Sequence, residues 1–205
     1  MSSTPNTVAT AALEYLGQRL WGFRPRLMTV IVQRLGPVRA LAWFARNMPR
    51  YQQSLRVYGS LRAHLLCVTV SLVNGCRYCT FGHAYAFELI YLREHRTLFP
   101  LDENAIVALH KLDPPDIRAQ LVDAVRLAGL DVEVVWIDRM LERVTGVWRV
   151  TSRDDARLDH LIRMFEVLNV CGIAEDVAPD QAHDPTNRNR ALKDHYAALR
   201  AADSA

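Results

Sequence analysis

Apolar and polar residues follow a helical period along most of this chain. Between residues 7 and 21, the apolar positions that fall near one side of a helix are Val8, Ala12, Tyr15, Leu16 and Leu20. Glycine and proline divide the next segment, and the pattern predicts helices at 25–35, 37–47 and 51–58. We predict a helix boundary at Met48-Pro49, because proline cannot donate a backbone hydrogen bond in a helix interior.

Two consecutive segments in the middle of the chain predict neighbouring helices of different character. Residues 61–73 are nearly all apolar and too many for one strand, which indicates a buried central helix. Asn74-Gly75 ends it, since glycine readily adopts the left-handed conformation after a helix C-terminus. A second helix follows at 76–96, where we expect the acidic residues Glu88 and Glu94 to be solvated.

The second half predicts further helices that begin at capping residues near positions 102, 113, 131 and 152. The last of these extends to about Ile173, and residues 185–205 predict a short helix with His195 facing outward. The fold class is therefore all-α. We expect one domain over residues 1–205, with a core at about 35–175 and helical extensions at both ends.

Charge is distributed unevenly along the chain. The net charge is +3, but residues 1–62 contain nine Arg and one Glu, which gives +8 and leaves −5 for the remainder. The arginines are spaced singly, as on solvated helix faces that pair with the acidic second half, within or between subunits. Steering of an anionic ligand is the alternative, and we expect no nucleic-acid partner.

Neither a membrane span nor a signal peptide is predicted. Apolar runs are far shorter than the ~20 residues of a span, and residues 1–10 lack a charged region followed by an apolar one. The sequence therefore predicts a cytoplasmic protein. Among its four cysteines, Cys67 and Cys171 lie between apolar residues and are expected to be buried structural thiols.

The candidate chemistry lies in Cys76-Arg77-Tyr78-Cys79, with His83 four residues further on. On a helix these side chains cluster, and the positive helix N-terminus lowers the pKa of a thiol in the first turn. Such a thiolate is a nucleophile, and a second cysteine one turn away can close a disulfide with it. This favours Cys76 as the more exposed nucleophile. Two buried cysteines beside an unrelated histidine are the structural alternative.

The run from His64 to His83 resembles the signature of the carboxymuconolactone decarboxylase and alkylhydroperoxidase D-like superfamily, in its CxxC-containing branch. That signature has an acidic residue, eleven residues ending in Asn-Gly or Ser-Gly, and then Cys-x-x-Cys-x-x-x-His. Cys76, Cys79 and His83 match it in type and spacing. His64 stands where the family has glutamate, and Tyr78 stands where alkylhydroperoxidase D has a histidine.

The resemblance implies a homo-oligomeric helical bundle in which a buried central helix precedes the CxxC-bearing helix. It also implies a thiol-dependent oxidoreductase, a peroxidase or disulfide reductase with no bound cofactor. By this resemblance Cys79 reacts with the peroxide or disulfide substrate, Cys76 resolves the product, and His83 relays protons. The partner is a dithiol reductant, namely a thiol reductant protein or a lipoyl domain.

His64 opens two interpretations, because an imidazole passes a proton but supplies no carboxylate. In the first, His64 replaces the family glutamate as a member of the relay. In the second, the protein binds zinc or another ligand without redox turnover, because His64, Cys76, Cys79 and His83 form the Cys₂His₂ set that tetrahedral zinc takes. A third class is an interaction scaffold whose CxxC has no chemical role.

Overall fold

The computed structural model describes residues 4–146 and 149–203, which form ten α-helices and no strand. The all-α prediction is therefore confirmed for this part of the chain. Three short 3₁₀ segments lie at Leu109–Lys111, Asp131–Glu133 and Pro185–Arg188. The helices are α1 (Pro5–Trp21), α2 (Leu27–Leu35), α3 (Pro37–Tyr58), α4 (Ser60–Val73), α5 (Arg77–His95), α6 (Glu103–Ala108), α7 (Pro114–Leu127), α8 (Val134–Thr145), α9 (Arg153–Ala174) and α10 (Arg190–Asp203).

The predicted boundary at Met48-Pro49 is wrong, because α3 continues through Pro49 to Tyr58. Pro49 is solvent-exposed, so its ring faces water on the outer side of the helix. The opposite side carries Phe44, Met48 and Tyr51, which are all buried. Burial of this continuous apolar side offsets the one backbone hydrogen bond that proline removes.

Helices α4 and α5 form the centre of the fold, as predicted. Every residue of α4 from Ala63 to Leu72 is buried, which explains why its sequence lacks a polar side. The turn after α4 is a Schellman motif: Gly75 has φ +78°, Cys76 N–H donates to Ser71 O, and Gly75 N–H donates to Leu72 O. This turn sets the start of α5.

Glu88 is a correction, since we expected a solvated residue and it is 1% exposed. Its carboxylate accepts a hydrogen bond of 2.7 Å from Arg200 of α10 and another from the Tyr196 hydroxyl. The outward position predicted for His195 in α10 is confirmed, because this residue is exposed. Burial raises the pKa of Glu88 well above its ordinary value, and the hydrogen bonds from Tyr196 and Arg200 of α10 oppose this shift.

The segment 177–189, which we call the strap, connects α9 to α10 and crosses α5. His183 N–H donates to the carbonyl of Gly82 at 2.9 Å, and the Asn187 amide donates to Trp21 O at 3.0 Å. Trp21 belongs to the same buried cluster as Cys76 and Cys79. The strap and the end of α1 therefore cover the start of α5. In the described residues, no helix is both long and apolar enough for a membrane span.

Candidate active site

The two cysteines occupy the N-terminus of α5, as the sequence predicts. Cys76 is the N-cap residue, and its sulfur accepts a hydrogen bond of 3.4 Å from the Cys79 backbone N–H. A cap sulfur in this position satisfies a backbone donor that the helix leaves unpaired. Both cysteines are free thiols.

Both sulfurs are buried, but only one of them lines a cavity. The expectation that Cys76 is the more exposed member is wrong, since Cys76 is 0% and Cys79 is 2% exposed. Cys79, however, lines a cavity of about 40 Å³ together with His83. The rest of its wall is Trp21, Pro25, Leu27, Met28, Phe44, Met48, Tyr51, Tyr78, Met164, Leu168 and His183. A small molecule in this cavity therefore meets Cys79 and His83, whereas Cys76 does not line it.

The two thiols share hydrogen bonding and titrate as a pair. The hydrogen bond from the Cys79 thiol lowers the pKa of Cys76, and it does so against the effect of burial; the backbone N–H groups of Cys79 and Tyr78 add to it. Burial raises the pKa of Cys79 well above its ordinary value, and its bond to Cys76 raises it further. The first negative charge of the pair therefore rests on Cys76.

A chain of three side chains leads away from the cavity. His83 Nδ1 and His64 Nδ1 are 2.9 Å apart, and His64 Nε2 lies 3.1 Å from Asp184 Oδ2. A carboxylate only accepts hydrogen bonds, so His64 donates Nε2–H to Asp184, and one proton lies between the two Nδ1 atoms. Asp184 thus places a carboxylate in hydrogen-bond contact with His64. It comes from the strap, 120 residues further along the chain.

The two outer members of this set of three side chains, Asp184 and His83, differ in how burial and neighbouring charges shift their pKa values. Burial disfavours ionisation of Asp184, but hydrogen bonds from His64 and Thr186, with the charge of His64, outweigh it and lower its pKa to about 2. Burial, together with repulsion from His64 and His183, lowers the pKa of His83 well below its ordinary value. At neutral pH His83 is therefore a neutral imidazole beside the cavity, with an ionised carboxylate two side chains away.

A second group from the strap forms part of the cavity wall. His183 packs against Trp21, Phe23, Tyr78 and His83 with ring centroids 5.1–5.8 Å apart. The Tyr78 hydroxyl donates to Asp180 at 3.0 Å. Gly82 permits this packing, because a Cβ at that position would lie 2.3 Å from the His183 ring. The hydrogen bond between Tyr78 and Asp180 therefore holds the strap against α5.

The other two cysteines, Cys67 and Cys171, are buried, as expected. Cys67 is 0% and Cys171 is 3% exposed. For Cys67, burial raises the pKa, and the contact with the Tyr51 hydroxyl only partly offsets this. Both side chains act as apolar packing groups at neutral pH.

The metal interpretation depends on convergence of donor atoms. In the ranges 4–146 and 149–203, no three or more His, Cys, Asp or Glu side chains converge as a site that could hold a metal ion. His64, Cys76, Cys79 and His83, which all lie in these ranges, therefore do not converge as such a site. His64 and His83 instead face each other directly, with their Nδ1 atoms in hydrogen-bond contact.

No pattern in the sequence indicated Asp184, Asp180 or His183 as site residues. All three lie in the strap, where the only local signal is His183-Asp184 ahead of Pro185, a pattern typical of a turn with an Asp cap. Their role depends on which helix the strap crosses. No protein-family model matches this chain, and no curated protein or solved structure matches it either.

Proposed function

We propose that this protein is a thiol-dependent oxidoreductase that reduces a peroxide or a disulfide through Cys79 and Cys76. The observation that carries the proposal is the shared cavity of Cys79 and His83, where the Asp184–His64–His83 chain ends. Similarity to the CxxC-containing alkylhydroperoxidase D-like branch is part of this proposal.

The first step oxidises Cys79. Its thiol proton passes to the Cys76 sulfur, which already accepts a hydrogen bond from it. The Cys79 thiolate attacks the terminal oxygen of a hydroperoxide, the O–O bond breaks, and Cys79 becomes a sulfenic acid. The alkoxide leaves and takes a proton from Nε2 of His83. His64 replaces that proton through the contact between the two Nδ1 atoms.

The second step closes the disulfide. The Cys76 sulfur attacks the sulfenic sulfur of Cys79, and the hydroxyl group leaves with the Cys76 proton as water. One hydroperoxide, the Cys79 thiol, the Cys76 thiolate and one proton from the histidine relay have then become one alcohol, one water and one disulfide. An external dithiol, such as a lipoyl group on a partner, reduces the Cys76–Cys79 bond and becomes a disulfide itself.

Cavity size favours a peroxide over a bulky disulfide. A volume of about 40 Å³ admits a group of the size of one or two water molecules. Five methionine or leucine side chains from α2, α3 and α9 line it: Leu27, Met28, Met48, Met164 and Leu168. A terminal O–O–H group fits this space, and the apolar wall suits the carbon chain of an organic hydroperoxide.

Mass spectrometry of the intact protein after mild peroxide treatment tests the proposal. We expect loss of two hydrogens, a cross-link between Cys76 and Cys79, and recovery of both thiols with a dithiol. Cys76→Ser should stop at a sulfenic acid on Cys79. The matched control is Cys171→Ser, another buried cysteine outside the pair, which should cycle normally.

Three results would refute the proposal. Cys79→Ser could retain full peroxide consumption, or the oxidation could fall on Cys67 or Cys171 first. The pair could also stay reduced under peroxide in a protein that circular dichroism shows to be folded.

A further inference from the structure

Helices α3 and α9 form a second concave surface on the opposite side of their contact from the thiols. The two helices are antiparallel neighbours, because Asn47 contacts His160 while Tyr58 contacts Asp154. The groove between them has a volume of about 570 Å³. Its wall consists of Arg39, Ala42, Trp43, Arg46, Asn47, Arg50, Ala156, Asp159, His160 and Arg163, and we call it the arginine groove.

Three arginines of α3 lie on one side of that helix. Arg39, Arg46 and Arg50 are seven and then four residues apart, which places them within one helical stripe. All three are exposed, and within the described parts of the chain none of their guanidinium groups has a hydrogen-bond or ion-pair partner. Three guanidinium groups therefore face the groove without a carboxylate.

The opposite wall adds little negative charge. Arg163 pairs with Asp159 at 2.9 Å, and Asp159 is the one acidic residue in the lining. Four arginines and one aspartate give the arginine groove a formal charge of +3. A concave surface concentrates the field of charges of one sign that line it.

The groove also contains a polar pair, the buried His160 and the half-buried Asn47. His160 is 7% exposed, and its Nε2–H donates to Asn47 Oδ1 at 3.1 Å. The Asn47 amide in turn donates to Trp43 O at 2.8 Å, which fixes its orientation. The other ring nitrogen of His160, Nδ1, is buried without a hydrogen-bond partner in the described structure. With Nε2 protonated, this nitrogen is an acceptor, so it suits a ligand hydroxyl or amino group and not a phosphate oxygen.

We propose that the arginine groove binds a small ligand with two or more phosphate groups. Guanidinium groups pair with phosphate oxygens through two parallel hydrogen bonds, so Arg39, Arg46 and Arg50 could hold more than one phosphate. A volume of about 570 Å³ lies within the range of small-molecule sites. Arg39 and Arg50 are eleven residues apart, or roughly 17 Å along the helix, which matches a short chain of phosphates better than a single one.

Isothermal titration calorimetry with inorganic triphosphate tests the proposal on the full-length protein. We expect binding of one triphosphate per chain, with an affinity that falls as salt concentration rises. Arg46→Gln and Arg50→Gln should each weaken binding about tenfold, as expected for loss of one charge-assisted contact. The matched control is Arg56→Gln, which removes the same charge from an exposed position of α3 outside the groove and should change affinity less than twofold.

Each other result overturns the proposal. Absence of binding at millimolar triphosphate would exclude the ligand class. Equal weakening by Arg56→Gln would mean that the net charge of the chain, and not the groove, attracts the anion. Equal affinity for monophosphate and triphosphate would indicate an adventitious ion only. Circular dichroism of each variant shows that a lost signal is not loss of folding.

Discussion

Replacement of Asp184 by Asn is the sharpest test of the candidate site. The asparagine has nearly the same shape and can keep the cap hydrogen bond that Thr186 N–H donates at 2.8 Å. It removes the negative charge that faces His64 Nε2 at 3.1 Å. The variant therefore separates the charge of Asp184 from its role in the strap.

The pKa of Asp184 sets the size of the effect on stability. Its value of about 2 lies nearly two pKa units below the ordinary 3.8. At ~1.36 kcal/mol per pKa unit, the ionised form contributes about 2.5 kcal/mol to the free energy of unfolding at neutral pH. A lowered acid pKa gives stability that is present above the unfolded value and is lost as pH falls. For Asp184 this loss occurs between about pH 4 and pH 2.

Urea unfolding at two pH values measures this contribution. At pH 7 we expect Asp184→Asn to be about 2.5 kcal/mol less stable than the unmodified protein, and at pH 3 the difference should fall to roughly half. The rate of Cys79 oxidation by peroxide should also fall, by about 100-fold, because His64 loses the carboxylate that stabilises its charged form. Stopped-flow measurement of that rate provides the second readout.

Asp102→Asn is the matched control for this variant. Asp102 also caps a helix, accepting a hydrogen bond of 2.7 Å from Ala105 N–H, but no histidine contacts its carboxylate. Since Asn caps about as well as Asp, its stability should change by less than about 0.5 kcal/mol. Equal effects of the two substitutions, or a loss for Asp184→Asn that does not vary with pH, would refute the charge argument.

Two further predictions concern the elements that cover the site. Gly82→Ala places a Cβ 2.3 Å from the His183 ring, so we expect a loss of about 1–3 kcal/mol and faster cleavage in the strap, measured by thermal unfolding and limited proteolysis. Unchanged Tm and cleavage would contradict the packing. Arg200→Ala removes the charge that opposes the raised pKa of Glu88, together with hydrogen bonds of 2.8 and 3.1 Å to Phe99 O and Leu101 O, and the expected loss is about 3 kcal/mol by urea unfolding. A loss below about 1 kcal/mol would mean that α10 contributes little to the core.

Local sequence determined the helices and the position of the thiols. The apolar run 61–73 has no polar side and is long for one strand, which indicated a buried helix, and Asn74-Gly75 specified the turn that places Cys76 at the cap of α5. Spacing also placed Cys79 and His83 on one side of that helix. These features depend on residues within one or two turns of each other.

Long-range packing decided what local patterns could not. Pro49 was misassigned because burial of the other side of α3 outweighs one lost hydrogen bond, and Glu88 because its partner Arg200 is 112 residues away. The carboxylate that contacts His64 has the same origin. Asp184 reaches His64 only because the strap crosses α5, and a charge separated by 120 residues leaves no periodic signal near the histidine that it pairs with.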